Sequence, residues 1–174
     1  KELTKHAQII SIVSGENAPK EVYFPTMAPN GKPITMCVNV GDSVKVGTRI
    51  GVRSDFYVPV YSSVSGVVKE QKMLFSASVG RPIQHLVIEN DGQYVEEEPL
   101  KTVTLDSSKE EIFEAIKEAG LVGMGGAGFP TYVKYNNPSN IETLLVNGVE
   151  CEPFLTTDFF AMQQRVDELL LGCE

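Results

Sequence analysis

Along residues 21–90 the hydrophobic positions fall in short β-prone runs, and Gly, Pro, Asn and Asp separate these runs. Short strands with frequent turns predict a small all-β sandwich or barrel. The predicted strands cover residues 21–25, 34–40, 43–46, 49–52, 58–61, 66–68 and 86–90. An arm at residues 1–20 precedes them, and within it residues 8–13 are predicted as one further strand.

Beyond residue 106 the hydrophobic positions take up a helical spacing. Ile112, Ile116 and Ala119 share one face of a helix predicted over residues 107–120. Ser108, followed three residues later by Glu111, has the spacing of a capping box. Gly120 is placed to end the helix.

The last part of the chain has two further elements. The apolar run at residues 143–146 is short, which suits a buried parallel strand. A helix is predicted over residues 158–171, and four residues form its inner stripe: Phe159, Met162, Val166 and Leu169. The fold class is therefore α+β in two parts, an all-β domain over residues 21–100 and the start of an α/β domain over residues 101–174. The boundary is predicted in the acidic connector at residues 96–105.

Between the first predicted helix and the strand lies a stretch rich in glycine, residues 120–131, here called the glycine loop. Five glycines occur within nine positions from Gly120 to Gly128. Glycine allows backbone to lie against a ligand, and successive backbone N–H groups can point at one anion. A flexible surface loop is the alternative, but the bulky Phe129 and the rigid Pro130 favour an ordered loop.

A second unusual cluster follows the predicted strand. Residues 147–153, here called the second loop, read Asn-Gly-Val-Glu-Cys-Glu-Pro. In open α/β sheets, ligands bind at the carboxyl ends of the strands. The second loop is therefore predicted to lie where a ligand would bind.

Charge and composition narrow the classes of function. The 174 residues are 42% hydrophobic and 22% charged, with a net charge of −8, so a packed core is expected. Twelve of the 23 acidic residues lie beyond residue 100, where there are five basic ones. Such a surface repels phosphate backbones, which makes nucleic-acid binding unexpected. No apolar run approaches the roughly 18 residues of a membrane-spanning helix.

The three cysteines, Cys37, Cys151 and Cys173, are scattered and include no Cys-x-x-Cys pair. This pattern predicts no zinc or iron–sulfur ligand set in this chain and favours a reducing compartment. Cys151 is expected to serve packing rather than chemistry.

Residues 38–47 and 59–68 resemble the lipoyl and biotinyl carrier domains, which are barrel-sandwich hybrids. Carriers present a lysine at a hairpin tip midway between these two phrases. Here the tip, residues 53–57, reads Arg-Ser-Asp-Phe-Tyr and has no lysine to acylate. A swinging-arm carrier is therefore disfavoured, and a structural β domain without a covalent prosthetic group is expected.

The glycine loop and the second loop together resemble the flavin and NADH loops of the NADH-binding flavoprotein subunit of respiratory complex I. Asn147, Glu150, Cys151, Glu152 and Pro153 are also similar to the second loop of the RnfC family, a component of the Rnf electron-transport complex. That family also has a barrel-sandwich hybrid near its N-terminus. The resemblance covers roughly residues 21–171. It implies that residues 101–174 begin a Rossmann-like flavin-binding domain.

The resemblance also implies the ligands and their residues. FMN would lie against the backbone of five positions: Gly123, Gly125, Gly126, Ala127 and Gly128. Lys134 would offer a cation to the flavin or its phosphate, and Asn147 would hydrogen-bond the flavin or its ribityl chain. Glu150 and Glu152 would line the NADH pocket.

The implied chemistry is hydride transfer from NADH to the flavin, followed by electron transfer to 4Fe-4S clusters. No catalytic side chain and no metal ligand is assigned in this chain. The clusters are expected only in further sequence, since this chain looks like the first part of a longer protein. The expected location is cytoplasmic and peripheral, on the inner face of the cell membrane, with other subunits of an Rnf-type complex as partners.

Three departures from the family patterns matter, and one of them is that the cysteine-rich cluster motifs of the RnfC family are absent from this chain. The complex I protein has Arg where Met124 stands and Asp where Val149 stands. The N-terminal arm lacks a Gly-Gly-x-His-Pro opening. A paralogue of the RnfC family that serves a soluble reductase, such as proline reductase, is one alternative. A non-catalytic docking module of an electron-transfer complex is the other.

Overall fold

The computed structural model describes residues 18–77, 79–104, 106–123, 128–136 and 139–173. The chain divides into two compact units. One unit runs from Ala18 to Asn137, and the other combines Lys1–Asn17 with Pro138–Glu174. The predicted strand at residues 8–13 lies outside the described residues.

In the described part of the first unit, seven strands form two antiparallel sheets. The four-stranded sheet has the order β1 (Glu21–Pro25), β7 (Arg81–Asn90), β6 (Gly66–Ser76) and β3 (Ser43–Val44). The three-stranded sheet has the order β2 (Ile34–Met36), β4 (Arg49–Arg53) and β5 (Pro59–Tyr61). Most strands lie where the sequence predicts them, although β2 and β3 are shorter.

The hydrophobic core draws on both sheets. Its buried side chains come from β3, β4, β6, β7 and the loop before β6: Val44, Ile50, Val64, Val68, Leu86 and Ile88. Val22 and Phe24 of β1, Met36 of β2 and Val60 of β5 pack against this cluster. Because one cluster is shared by the two sheets, the predicted small all-β sandwich is confirmed.

Strands β6 and β7 are much longer than the two short strands predicted there, and they pair as a hairpin. Its strands pair from Gly66 opposite Asn90 to Ser76 opposite Arg81, with a bulge between Val68 and Glu70. The β6 side chains from Lys69 to Met73 are exposed. A strand segment that buries neither face needs no alternation of polar and apolar residues, so this part of β6 gave no signal in the sequence.

Helix α1 (Lys109–Glu118) begins as predicted, with a complete capping box. The Ser108 hydroxyl accepts the backbone N–H of Glu111 at 3.2 Å, and the Glu111 carboxylate accepts the backbone N–H of Ser108 at 3.1 Å. The helix ends at Glu118 with Ala119 as its C-cap, and Gly120 follows with a φ of +67°. The edge-to-face pair of Phe113 and Tyr132, 5.7 Å between ring centres, packs α1 against the short helix α2 (Thr131–Lys134).

The C-terminal end of α1 is attached to the β domain. The Tyr61 hydroxyl donates to the Glu118 carbonyl at 2.5 Å, and Arg49 donates to the Glu118 carboxylate at 2.5 Å. Orphan carbonyls at a helix end need such donors. The compact unit that holds the β domain therefore continues through α1 and α2 to Asn137, and the boundary at residues 96–105 stays a prediction.

In the second unit, two sequence predictions were wrong. Residues 143–146 form no strand, and Leu144, Leu145 and Val146 are exposed. The predicted helix at residues 158–171 is two helices, α3 (Thr157–Gln164) and α4 (Val166–Cys173), separated at Arg165. A buried parallel strand requires neighbouring strands, and the described residues of this unit supply none. The α/β domain therefore stays a prediction.

Candidate functional site

The glycine loop starts and ends in a closed neck, formed by residues 121–123 and 129–131. The Gly123 N–H donates to the Phe129 carbonyl at 2.9 Å, and the Thr131 N–H donates to the Leu121 carbonyl at 2.9 Å. Between these two bonds, Val122 and Pro130 form an antiparallel bridge. The neck thus brings the two ends of the loop together. The predicted FMN residues Gly125, Gly126 and Ala127 lie outside the described residues.

Gly123, Gly128 and Lys134 are described, and the structure brings them together around this neck. Gly128 has a φ of +62°, in the left-handed region that favours glycine. A Cβ added at Gly123 would lie 3.7 Å from the Lys134 Nζ. The exposed Lys134 therefore places a positive charge beside the start of the loop.

A buried ion pair of the β domain contacts the other end of the loop. The Arg53 guanidinium donates to both carboxylate oxygens of Asp55, at 3.0 and 2.6 Å. Its remaining nitrogen, Nη1, donates to the Gly128 carbonyl at 2.6 Å. Only 7% of the Arg53 side chain and 11% of the Asp55 side chain are exposed.

Hydrogen bonding from Arg53 is the largest influence on the Asp55 carboxyl. The Arg53 guanidinium holds the pKa of the Asp55 carboxyl well below its ordinary value of 3.8, against burial, which raises it. The Asn30 amide, which donates to the Asp55 carboxylate at 2.5 Å, lowers the same pKa. The carboxylate is thus ionised at neutral pH and fixes the orientation of the guanidinium.

Aromatic packing joins the same two segments. The rings of Phe56 and Phe129 meet edge to face with 5.6 Å between their centres, and Pro130, the next residue of the loop, is buried. At this tip the sequence indicated only a missing lysine, and the contact between the tip and the loop was not predicted. The available signal was the Arg-x-Asp sequence followed by two aromatic residues.

The second loop lies in the second unit. The Asn147 side-chain oxygen accepts the Val149 N–H at 3.0 Å, and the Glu150 carboxylate accepts the Phe159 N–H at 3.0 Å, at the start of α3. A Cβ added at Gly148 would lie 2.4 Å from the Met162 sulfur, so the flexible Met162 side chain packs against this glycine. Glu152 and Cys151 are exposed. The structure therefore holds Asn147 and Glu150 in one ordered loop and leaves the Glu152 side chain open to solvent.

The described residues fit an anionic ligand at the glycine loop. A lysine side chain lies beside the neck, and Gly128, the last glycine of the loop, has the left-handed conformation that occurs in backbone anion nests. Among the described residues, no group of three or more His, Cys, Asp or Glu side chains could hold a metal ion. None of the described helices has the length and apolarity needed to cross a bilayer.

Two protein families match different parts of the chain. Residues 1–93 match the family described as the RnfC barrel sandwich hybrid domain. Residues 116–174 match the family described as the Nuo51 FMN-binding domain. The first match identifies the two-sheet β domain as a barrel-sandwich hybrid, and the second covers both the glycine loop and the second loop.

Curated relatives extend the comparison to most of the chain. It is 36% identical over 162 residues to the C component of the proton-translocating ferredoxin:NAD(+) oxidoreductase complex of Clostridium ljungdahlii, a match that covers 90% of this chain and 35% of that protein. It is 37% identical over 159 residues to the C component of the Na(+)-translocating ferredoxin:NAD(+) oxidoreductase complex of Acetobacterium woodii, a match that covers 88% of this chain and 36% of that protein. A third relative is the C component of the ion-translocating oxidoreductase complex of Serratia proteamaculans, 32% identical over 160 residues, or 90% of this chain and 23% of that protein. The chain thus spans about a third or less of the length of these relatives.

Proposed function

We propose, because this chain belongs to the RnfC family, that it forms the FMN- and NADH-binding part of an NADH-oxidising electron-transfer protein. The observation that carries the proposal is the match of residues 116–174, which hold both loops, to an FMN-binding domain. The names of two relatives, each a component of a ferredoxin:NAD(+) oxidoreductase complex, support NAD(H) as the substrate.

The glycine loop would hold FMN. The backbone of Gly123, Gly125, Gly126, Ala127 and Gly128 would approach the flavin, because no side chain stands between glycine backbone and ligand. Lys134, whose ammonium lies beside Gly123, would neutralise charge on the FMN phosphate. FMN when bound supplies hydride acceptance and single-electron transfer.

The second loop would hold the nicotinamide nucleotide and one edge of the flavin. Asn147 uses its side-chain oxygen for the Val149 N–H, and its amide group would donate to the flavin or its ribityl chain. The Glu150 carboxylate accepts the Phe159 N–H through one oxygen, which leaves the other oxygen for a ribose hydroxyl. The exposed Glu152 would accept another ribose hydroxyl, as acidic residues do in other dinucleotide sites.

The rest of the electron path would lie outside this chain. The relatives are about three times as long as the part they share with it, and 4Fe-4S clusters would be held in that further sequence. Residues 101–174 would be the start of a Rossmann-like flavin domain whose sheet is completed there. The protein would sit at the inner face of the cell membrane, bound to other subunits of an Rnf-type complex.

Flavin content and NADH oxidation of the full-length protein test this proposal. We expect about one FMN per chain in this domain by absorbance, and NADH-dependent reduction of an artificial electron acceptor such as ferricyanide. Absence of both flavin and NADH oxidation in a folded protein would contradict the proposal. It would favour the alternative of a non-catalytic docking module.

A further inference from the structure

The tip of the β domain is packed rather than free. Carrier domains that resemble this β domain expose a lysine at the corresponding turn. Here Arg53, the last residue of β4, is 8% exposed, and the side chain of Asp55 in the following turn is 11% exposed. Arginine is almost never fully buried unless it is paired. Here a buried arginine lies at the turn where a carrier domain exposes its lysine.

The Arg53 guanidinium binds Asp55 through one edge and the glycine loop through its remaining nitrogen. Asp55 takes two of its donor nitrogens, Nε and Nη2. Asn30 donates to Asp55 and so fixes the carboxylate in turn. Since Arg donors form a rigid planar fork, holding two of them fixes the direction of the third, Nη1, which donates to the Gly128 carbonyl.

The residue that Arg53 holds is the last glycine of the glycine loop. The next residue, Phe129, accepts the Gly123 N–H through its carbonyl and packs its ring against Phe56. The tip therefore holds the loop at its C-terminal end by one charged hydrogen bond and one aromatic contact. A loop of several glycines loses much conformational entropy when it is ordered, so an anchor in place before ligand binding lowers that cost.

We propose that Arg53, oriented by Asp55 and Asn30, is a positioning residue of the FMN site that fixes Gly128 and Phe129, at the C-terminal side of the glycine loop, before FMN binds. This inference rests on the proposed function. Where a carrier domain has a mobile lysine that bears its prosthetic group, this domain has a buried arginine that supports a neighbouring cofactor loop. Arg53 acts through the Gly128 backbone and contacts the loop rather than the reacting atoms.

Arg53→Lys in the full-length protein tests the inference, with Arg49→Lys as the matched control. Arg49 is also an ion-paired arginine of β4, but its partner is Glu118 at the end of α1. Lysine at position 53 keeps the charge for Asp55 and lacks the fork that reaches Gly128 at the same time. Apoproteins are titrated with FMN, and the flavin fluorescence gives Kd. NADH oxidation is then measured at saturating FMN.

The inference expects Arg53→Lys to weaken FMN binding about 10- to 100-fold, the range for losing a hydrogen bond to a charged group. It expects kcat and the KM for NADH at saturating FMN to stay as in the wild type, because the loop adopts the same bound state once FMN is present. Arg49→Lys should keep the wild-type Kd for FMN. A purely structural role for Arg53 would not produce this split between FMN affinity and kcat.

Asp55→Asn is the second variant, because it leaves Arg53 in place and removes only the charge that orients it. It should weaken FMN binding in the same direction and by less. Each variant is first checked for the wild-type far-UV circular dichroism. If a variant that passes this check binds FMN with the wild-type Kd, the inference is overturned. Loss of the fold in both, while Arg49→Lys folds, would also overturn it, because the pair would then be a structural ion pair. A wild-type protein that binds no FMN would instead refute the proposed function.

Discussion

Replacing Gly120 with Ala probes the joint between α1 and the glycine loop. Gly120 has a φ of +67°, and a Cβ added there would lie 2.4 Å from the Pro59 carbonyl oxygen of β5. Both the backbone conformation and the close approach exclude a side chain. The residue thus couples the end of a helix to a strand of the β domain.

The expected loss of stability has two parts. A left-handed conformation costs an L-residue roughly 1–2 kcal/mol. The short carbon–oxygen distance adds an overpacking cost of roughly 1–3 kcal/mol, because backbone rather than a flexible side chain must move. We therefore expect Gly120→Ala to lower the free energy of unfolding by about 2–5 kcal/mol.

Gly92→Ala separates the two parts. Gly92 has a φ of +72°, and an added Cβ would have no heavy atom within 4 Å. This variant carries the conformational cost alone, so it should be more stable than Gly120→Ala by about 1–3 kcal/mol. Both positions lie in the same compact unit.

Urea unfolding of the chain, followed by far-UV circular dichroism, measures both variants. Equal slopes of free energy against urea are required before the midpoints are compared. If the two variants unfold at the same midpoint, the close approach to Pro59 contributes nothing, and the described joint between α1 and β5 is incorrect.

Three further predictions concern the loop, the ion pair and the chain by itself. Gly126→Val should abolish FMN binding by the full-length protein while its far-UV circular dichroism is unchanged; undiminished flavin absorbance would count against Gly126 as a contact residue. The depressed pKa of Asp55 means that the unfolded chain takes up a proton at a higher pH than the folded one. The contribution of the Arg53–Asp55 pair to stability should be complete above about pH 5 and decline as pH falls through about pH 4 and below. The urea midpoint of Asp55→Asn should therefore fall less steeply with falling pH than that of the wild type. If the two midpoints fall in parallel, Asp55 is not the cause. Residues 1–174 alone should bind FMN with a Kd above about 1 μM, because walls of the site would come from further sequence; tighter binding by fluorescence quenching would show that the two loops suffice.

The β domain could be predicted from the sequence to the extent that its strands bury one face. β1 has the predicted bounds, because Val22 and Phe24 alternate with polar neighbours and pack on the core. The outer half of β6 could not be predicted, since its side chains from Lys69 to Met73 are exposed and backbone pairing alone forms the strand. The start of α1 could also be predicted, because the capping box of Ser108 and Glu111 is a local sequence pattern.

The two loops of the candidate site could be predicted from the sequence, but the contact of the β domain with the glycine loop could not. The glycine loop was found from glycine density, which is a local property of the sequence. The contact of Arg53 with Gly128 joins residues 75 positions apart, and neither residue type specifies a partner at that distance. The strand predicted at residues 143–146 failed for a related reason, because an apolar run becomes a buried strand only when neighbouring strands are present.

The bond between Arg53 and Gly128 orders events during synthesis. Ribosomes release the N-terminal end first, and domains generally fold as units in that order. The tip that supports the loop thus leaves the ribosome before Gly128 does, so we expect the loop to dock on a folded β domain instead of closing 75 residues of free chain. A substitution such as Leu86→Ala, deep in the core between the sheets, would therefore delay ordering of the loop in the nascent protein by delaying the surface on which it docks.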